Sequence, residues 1–107
     1  MYEMLEIQDV SRPRCKRYIG HLVVEEGNKT AIKRVIKKAV NEIQQIKFPV
    51  HVVWLYVWHK DKLKCRAMWV DKDLKDVPLP LPLDFKDHKG DIGIVWLCYK
   101  GDWLCQA

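Results

Sequence analysis

From Ile32 to Ile46 apolar side chains recur at steps of three and four: Ile32, Val35, Ile36, Ala39, Val40, Ile43 and Ile46. With 3.6 residues per turn, that spacing makes one continuous stripe on a helix. Lys33, Arg34, Lys37, Lys38, Asn41 and Gln45 fall on the opposite side. Gly27-Asn28 supplies a turn and an N-cap, and Pro49 stops the chain shortly after the stripe ends, so the pattern predicts one helix over residues 29–46. A β-rich run stands on each side, residues 18–25 before it and 50–59 after it. The second run is almost wholly β-branched and aromatic. Strand, helix, strand is a βαβ unit, which predicts parallel strands and a right-handed crossover.

After a short polar break at Lys60-Asp61-Lys62, residues 63–70 alternate with period 2. Cys65, Ala67 and Trp69 share one face and Lys64 and Arg66 the other, and the break is short enough only for an antiparallel hairpin. Pro78, Pro80 and Pro82 alternate with leucines inside residues 71–90, which predicts an extended surface crossing packed on the domain's own sheet. Residues 91–99 read as another strand, and Gly101-Asp102 as a tight turn into a short strand over 103–105, with Cys98 opposite Cys105 and both reduced. Residues 2–10 fit a short helix and an edge strand equally well. The expected fold is α+β: a two-layer sandwich with a mixed, mostly antiparallel sheet of four to five strands and one main helix on one face.

That architecture leaves a problem. One helix covers one face of a sheet, yet the run 50–59 is apolar on both, with Val53, Leu55 and Val57 on one side and Val52, Trp54, Tyr56 and Trp58 on the other. Something must cover the second, aromatic face. In order of expectation it is the N-terminal segment, the Pro-Leu stretch, or another molecule, including a second copy of the chain.

The chain has 107 residues, 49 % hydrophobic and 31 % charged, which predicts a single globular domain, either a whole protein or one domain of a longer one. No apolar run approaches the roughly 20 residues that span a bilayer. The first residues lack the basic and apolar regions of a secretory leader. Cys15, Cys65, Cys98 and Cys105 form no C-x-x-C pair and have no histidine at zinc-ligand spacing, which predicts a reducing, cytoplasmic setting. No cofactor and, with no long apolar run, no membrane partner are expected.

Nineteen Lys and Arg against fourteen Asp and Glu give a net charge of +5. The bases gather in three places: Arg12, Arg14, Lys16 and Arg17; six between residues 29 and 47; and Lys60, Lys62, Lys64 and Arg66. Three basic clusters on one small domain suit an anionic partner. The expected anion-binding residues are Lys29, Lys33, Arg34, Lys37, Lys38, Arg12, Arg14 and Arg17. Trp54, Trp58 and Trp69 are the expected aromatic face, next to cations, as in sheets that bind single-stranded nucleic acid. Glu25, Asp71 and Asp73 sit at strand ends, where carboxylates hold divalent metals for phosphoryl transfer. The four histidines are scattered and no two share metal-ligand spacing. The leading expectation is a small basic binding domain for an anionic partner, nucleic acid first. The alternatives are a protein-interaction or oligomerisation module using the aromatic face, homodimer included, and a metal-dependent phosphoryl-transfer enzyme or nuclease.

Overall fold

The computed structural model describes residues 2–72 and 92–97. The expected Pro-Leu crossing and the terminal hairpin with Cys98 and Cys105 lie outside these residues, as do Asp73 and His88.

The elements are β1 (Tyr2–Met4), β2 (Gln8–Asp9), β3 (Arg17–Val24), α1 (Lys29–Ile46), β4 (Val52–His59), β5 (Lys62–Val70) and β6 (Ile92–Trp96). They build one α+β unit: a mixed sheet in the order β1-β3-β4-β5-β6, with β2 also paired to β3. The βαβ unit forms as its spacing predicts, since β3 and β4 are parallel, from Arg17 opposite Val52 to Val23 opposite Trp58. All other pairs are antiparallel. The sheet exceeds the four to five strands expected because the N-terminal segment contributes two short ones. Tyr2–Met4 pairs with Leu22–Val24, and Gln8–Asp9 with Tyr18–Ile19. The ambiguous segment is thus strand, and it lies along the edge of β3 rather than across a sheet face.

Helix α1 occupies the stretch its stripe marks out. Ile32, Ile36, Ala39, Val40 and Ile43 are buried, and burial of each of the larger ones stabilises the fold by roughly 1.5–3 kcal/mol. Ile46, the last position of the stripe, is instead 59 % exposed. Asn28 caps the start, its Oδ1 accepting from the Ala31 N–H at 2.8 Å. The Lys47 N–H closes the end on the Ile43 carbonyl. The following Phe48–Pro49 peptide is cis.

The helix packs on the face formed by Tyr18, Leu22 and Val24 of β3, Val53, Leu55 and Val57 of β4, and Cys65 and Ala67 of β5. Gly20 lies on the same face, beneath the helix. A Cβ there would stand 3.0 Å from Leu55 Cδ2 and 3.5 Å from Ile43 Cδ1, so the absence of a side chain lets the helix sit close. Strand alternation sends Arg17, Ile19, His21, Val23, Trp54, Tyr56, Trp58 and Arg66 to the other face.

Two tight turns fix the edges. Lys60 and Asp61 both have positive φ, 48° and 63°, the signature of a two-residue type I′ hairpin turn. Beside it the register shifts between Val57 and Trp58, so that Trp58 faces Leu63 while Val57 faces Cys65. The second turn is Pro13-Arg14, closed by Arg12 and Cys15, which exchange both backbone hydrogen bonds at 2.9 Å. Arg14 takes φ 69°, as the third residue of a type II turn requires.

Candidate functional site

The face turned away from the helix is chemically unlike the one beneath it. At one end Cys15 packs with Val52, Met68 and Val70 into a small second core, which Trp54 and Val95 flank. Beyond it β4 presents Trp54, Tyr56 and Trp58, all half-buried. Among the described residues no helix lies over this column.

The rings are ordered by their neighbours. His21, opposite Tyr56 in the β3–β4 ladder, stacks on it with centroids 5.1 Å apart and planes 15° from parallel. Tyr56 and Trp54 lie 6.4 Å apart and 11° from parallel. On the other side His21 stands 6.5 Å from Trp58, and its Nδ1 accepts the Trp58 indole N–H at 3.3 Å. Across the β4–β5 ladder, Tyr56 faces Arg66. Tyr56 therefore stands between His21 on one neighbouring strand and Arg66 on the other.

Among the described residues, three buried side-chain atoms have no hydrogen-bond partner: Arg17 Nη1, Trp54 Nε1 and Arg66 Nε. All three are N–H donors, and all three residues belong to this face. Arg17 itself is only 8 % exposed, and its Nε and Nη2 both donate to the Val10 carbonyl, at 3.0 and 2.7 Å. A buried donor left without an acceptor costs about 1–3 kcal/mol. Each such group calls for a physical explanation, a bound ion or molecule among them.

The expected cations divide between places the fold holds apart. Lys33, Arg34, Lys37 and Lys38 are exposed on α1, on the opposite side of the sheet from the aromatic column. Lys29 is tied to that side too, its Nζ 5.3 Å from the Trp96 ring centroid. This contact explains a lysine in a first turn where the helix dipole disfavours cations. Arg12 and Arg14 are exposed on the turn that leads into the start of β3, whereas α1 begins beyond the end of β3. The structure therefore does not bring the two cation groups together, and Arg17 is buried rather than presented to solvent.

Trp69 leaves the aromatic face. Its ladder partner is Val53, a residue of the helix-side core, and Trp69 packs against that core. There it walls a cavity of about 390 Å³ with Gln44, Phe48, Pro49, Val50, His51 and Asp71. The correction follows from register: Cys65, Ala67 and Trp69 share a face, and that face is the one facing the helix. Tyr56, His21 and Arg66 take its place. Their signal lay in strand alternation, but it becomes readable only once the pairing of β3, β4 and β5 is known.

Glu25 follows the end of β3, while Asp71 follows the end of β5, beside the start of β4 and β3. Eight residues of strand separate these levels, about 26 Å at a rise of about 3.3 Å per residue. Among the described residues no three His, Cys, Asp or Glu side chains gather as a metal site. The other two described histidines have structural partners. His51 Nδ1 accepts from the Lys16 N–H at 2.9 Å, and His59 Nδ1 lies 3.1 Å from the Val24 carbonyl. Cys15 and Cys65 are free and buried. Burial raises both thiol pKa values, that of Cys65 to about 12, so neither is a ready nucleophile. No helix among the described residues is long and apolar enough to cross a membrane.

Comparison of the chain with protein-family models, curated proteins and solved structures returned no match. The chemistry of the face rests on its own residues.

Proposed function

We propose that this chain is a binding domain for an anionic polymer, nucleic acid, and that the polymer binds on the face of the sheet opposite the helix. The observation that carries this reading is the set of unpartnered donors on Arg17, Trp54 and Arg66. Among the described residues this face buries three N–H donors without acceptors, and a partner rich in oxygen acceptors would satisfy them. Phosphodiester backbones and base carbonyls are such a partner, and Arg is the side chain best shaped for phosphate. The net charge of +5 adds long-range attraction for polyanions. The aromatic column adds flat surfaces suited to bases.

The test is fluorescence anisotropy with labelled oligonucleotides at low and physiological salt. Wild type binds at low salt and weakens steeply as salt rises. Arg66→Gln weakens binding, whereas Lys33, Arg34, Lys37 and Lys38 all changed to Gln does so only through net charge, with the site intact. No binding at low salt overturns the proposal. So does binding abolished by the helix variant and untouched by Arg66→Gln. Salt-insensitive self-association through the aromatic column, without oligonucleotide binding, would make the face a dimerisation surface instead.

A further inference from the structure

We infer that the nucleic acid taken by this face is single-stranded, with its bases unstacked onto the rings of β4 and its backbone crossing β5, β4 and β3 on a diagonal. This rests on the reading above and specifies the ligand and its path.

The ring geometry carries the first half. Trp54, Tyr56 and Trp58 occupy alternate positions of one strand, a column about 13 Å long at the rise of an extended chain. That length accommodates the two or three bases that aromatic side chains on other open sheets stack. The rings are held in place before any ligand arrives. His21 stacks on Tyr56 at 5.1 Å and holds the Trp58 indole N–H at 3.3 Å. Rings fixed in this way lose little freedom on binding. In a duplex, each base face is covered by the next base pair, so a duplex offers the column only phosphates and groove edges. A single strand turns base faces outward at little cost.

The register carries the second half. Arg66 stands at the level of Tyr56, Trp54 one pair of residues further toward the start of β4, and Arg17 at the level of Val52. The backbone positions of the three residues that carry these buried, unpartnered donors thus step one strand over and two residues along each time, about 8 Å per step. A chain with acceptors at regular intervals can follow such a line, whereas a compact anion reaches one donor at a time. The column and the line cross at Trp54, whose ring takes a base while its N–H seeks an acceptor.

The experiment compares the whole chain with Tyr56→Leu, Tyr56→Phe and Arg66→Gln. Each is titrated into a single-stranded oligonucleotide of about 12 nucleotides, as RNA and as DNA, and into the corresponding duplex. Circular dichroism confirms the fold of each variant. Wild type prefers the single strand at least about tenfold over the duplex. Tyr56→Leu, which keeps apolar cover without a ring, weakens the single strand at least about fivefold, the low end for losing one stacked base. It leaves duplex affinity unchanged, and Tyr56→Phe restores wild-type binding. Arg66→Gln lowers the salt slope by about 0.7, one single-strand phosphate. Equal affinity for single strand and duplex, unaffected by Tyr56→Leu, overturns the inference while leaving nucleic-acid binding itself standing. Absence of binding to any oligonucleotide overturns both.

Discussion

At the scale of single residues, the chemistry of the two faces follows from which side of a strand each side chain occupies. Cys65 and Arg66 are neighbours in sequence, yet one is wholly buried under the helix and the other lies on the aromatic face. Burial without partners lifts the Cys65 thiol pKa from 9.0 to about 12. An acid with a raised folded-state pKa binds its proton more tightly when folded. Its contribution is therefore complete below pH 9 and is lost as pH climbs from about 9 toward 12. Tyr2 acts in the same direction: burial first, then its hydrogen bond to Glu42, raise its pKa from 10.0 to about 12. Urea midpoints should hold steady to about pH 9 and then fall, and Cys65→Ala should flatten that fall while lowering the plateau. Thiol-reactive reagents should reach Cys15 and Cys65 only when the domain unfolds.

At the scale of elements, the βαβ unit stands on matched local signals. Asn28 caps α1 with one side-chain bond, and Asn28→Ala should cost about 1 kcal/mol by thermal or chemical unfolding. The β4–β5 turn offers the opposite opportunity. Lys60 and Asp61 both hold left-handed φ values, which side chains other than Gly and Asn tolerate poorly. Replacing them with Asn and Gly should stabilise the fold by about 1 kcal/mol, a rise in Tm of roughly 4–8 °C. Failure of both the midpoint and Tm to rise would show that this turn is not strained. Gly20→Val should be severely destabilising, because its branches meet Leu55 and Ile43 where the helix crosses closest.

These elements also show what was readable from residue order. The helix limits were legible because seven apolar positions hold one period and a cap and a proline bound them. The β4–β5 hairpin was legible because its break allows no other connection. β1 and β2 were not: segments of three and two residues carry no period, and only the open edge of β3 makes them strands. The side on which Trp69 falls was not legible from its own strand, because alternation states which residues share a face but not which face meets the helix. In the sequence Arg17 is one of four bases within residues 12–17 and carries no mark that separates it from the other three. Its burial comes from the tight turn at Pro13-Arg14, which brings the Val10 carbonyl within reach of its guanidinium.

At the scale of the whole molecule, the sheet separates a cationic surface from an aromatic one. One is the solvent side of α1, where Lys33, Arg34, Lys37 and Lys38 form i, i+4 pairs that cost a few tenths of a kcal/mol each and have the buried stripe to offset them. The other is the aromatic face, with its stacked rings and unpartnered donors. If ligand binds on the aromatic face as proposed, removing the helix charges should raise stability slightly and leave site affinity near wild type once corrected for net charge. The molecule also carries its own reporters, since Trp54 and Trp58 mark one face, and Trp69 and Trp96 the other. The most direct test of the central claim is a titration of the nitrogen-15-labelled chain with a single-stranded oligonucleotide, following the indole N–H resonances. With ligand bound on the aromatic face, Trp54 and Trp58 shift while Trp69 and Trp96 stay in place. Shifts confined to Trp69 and Trp96 would contradict it.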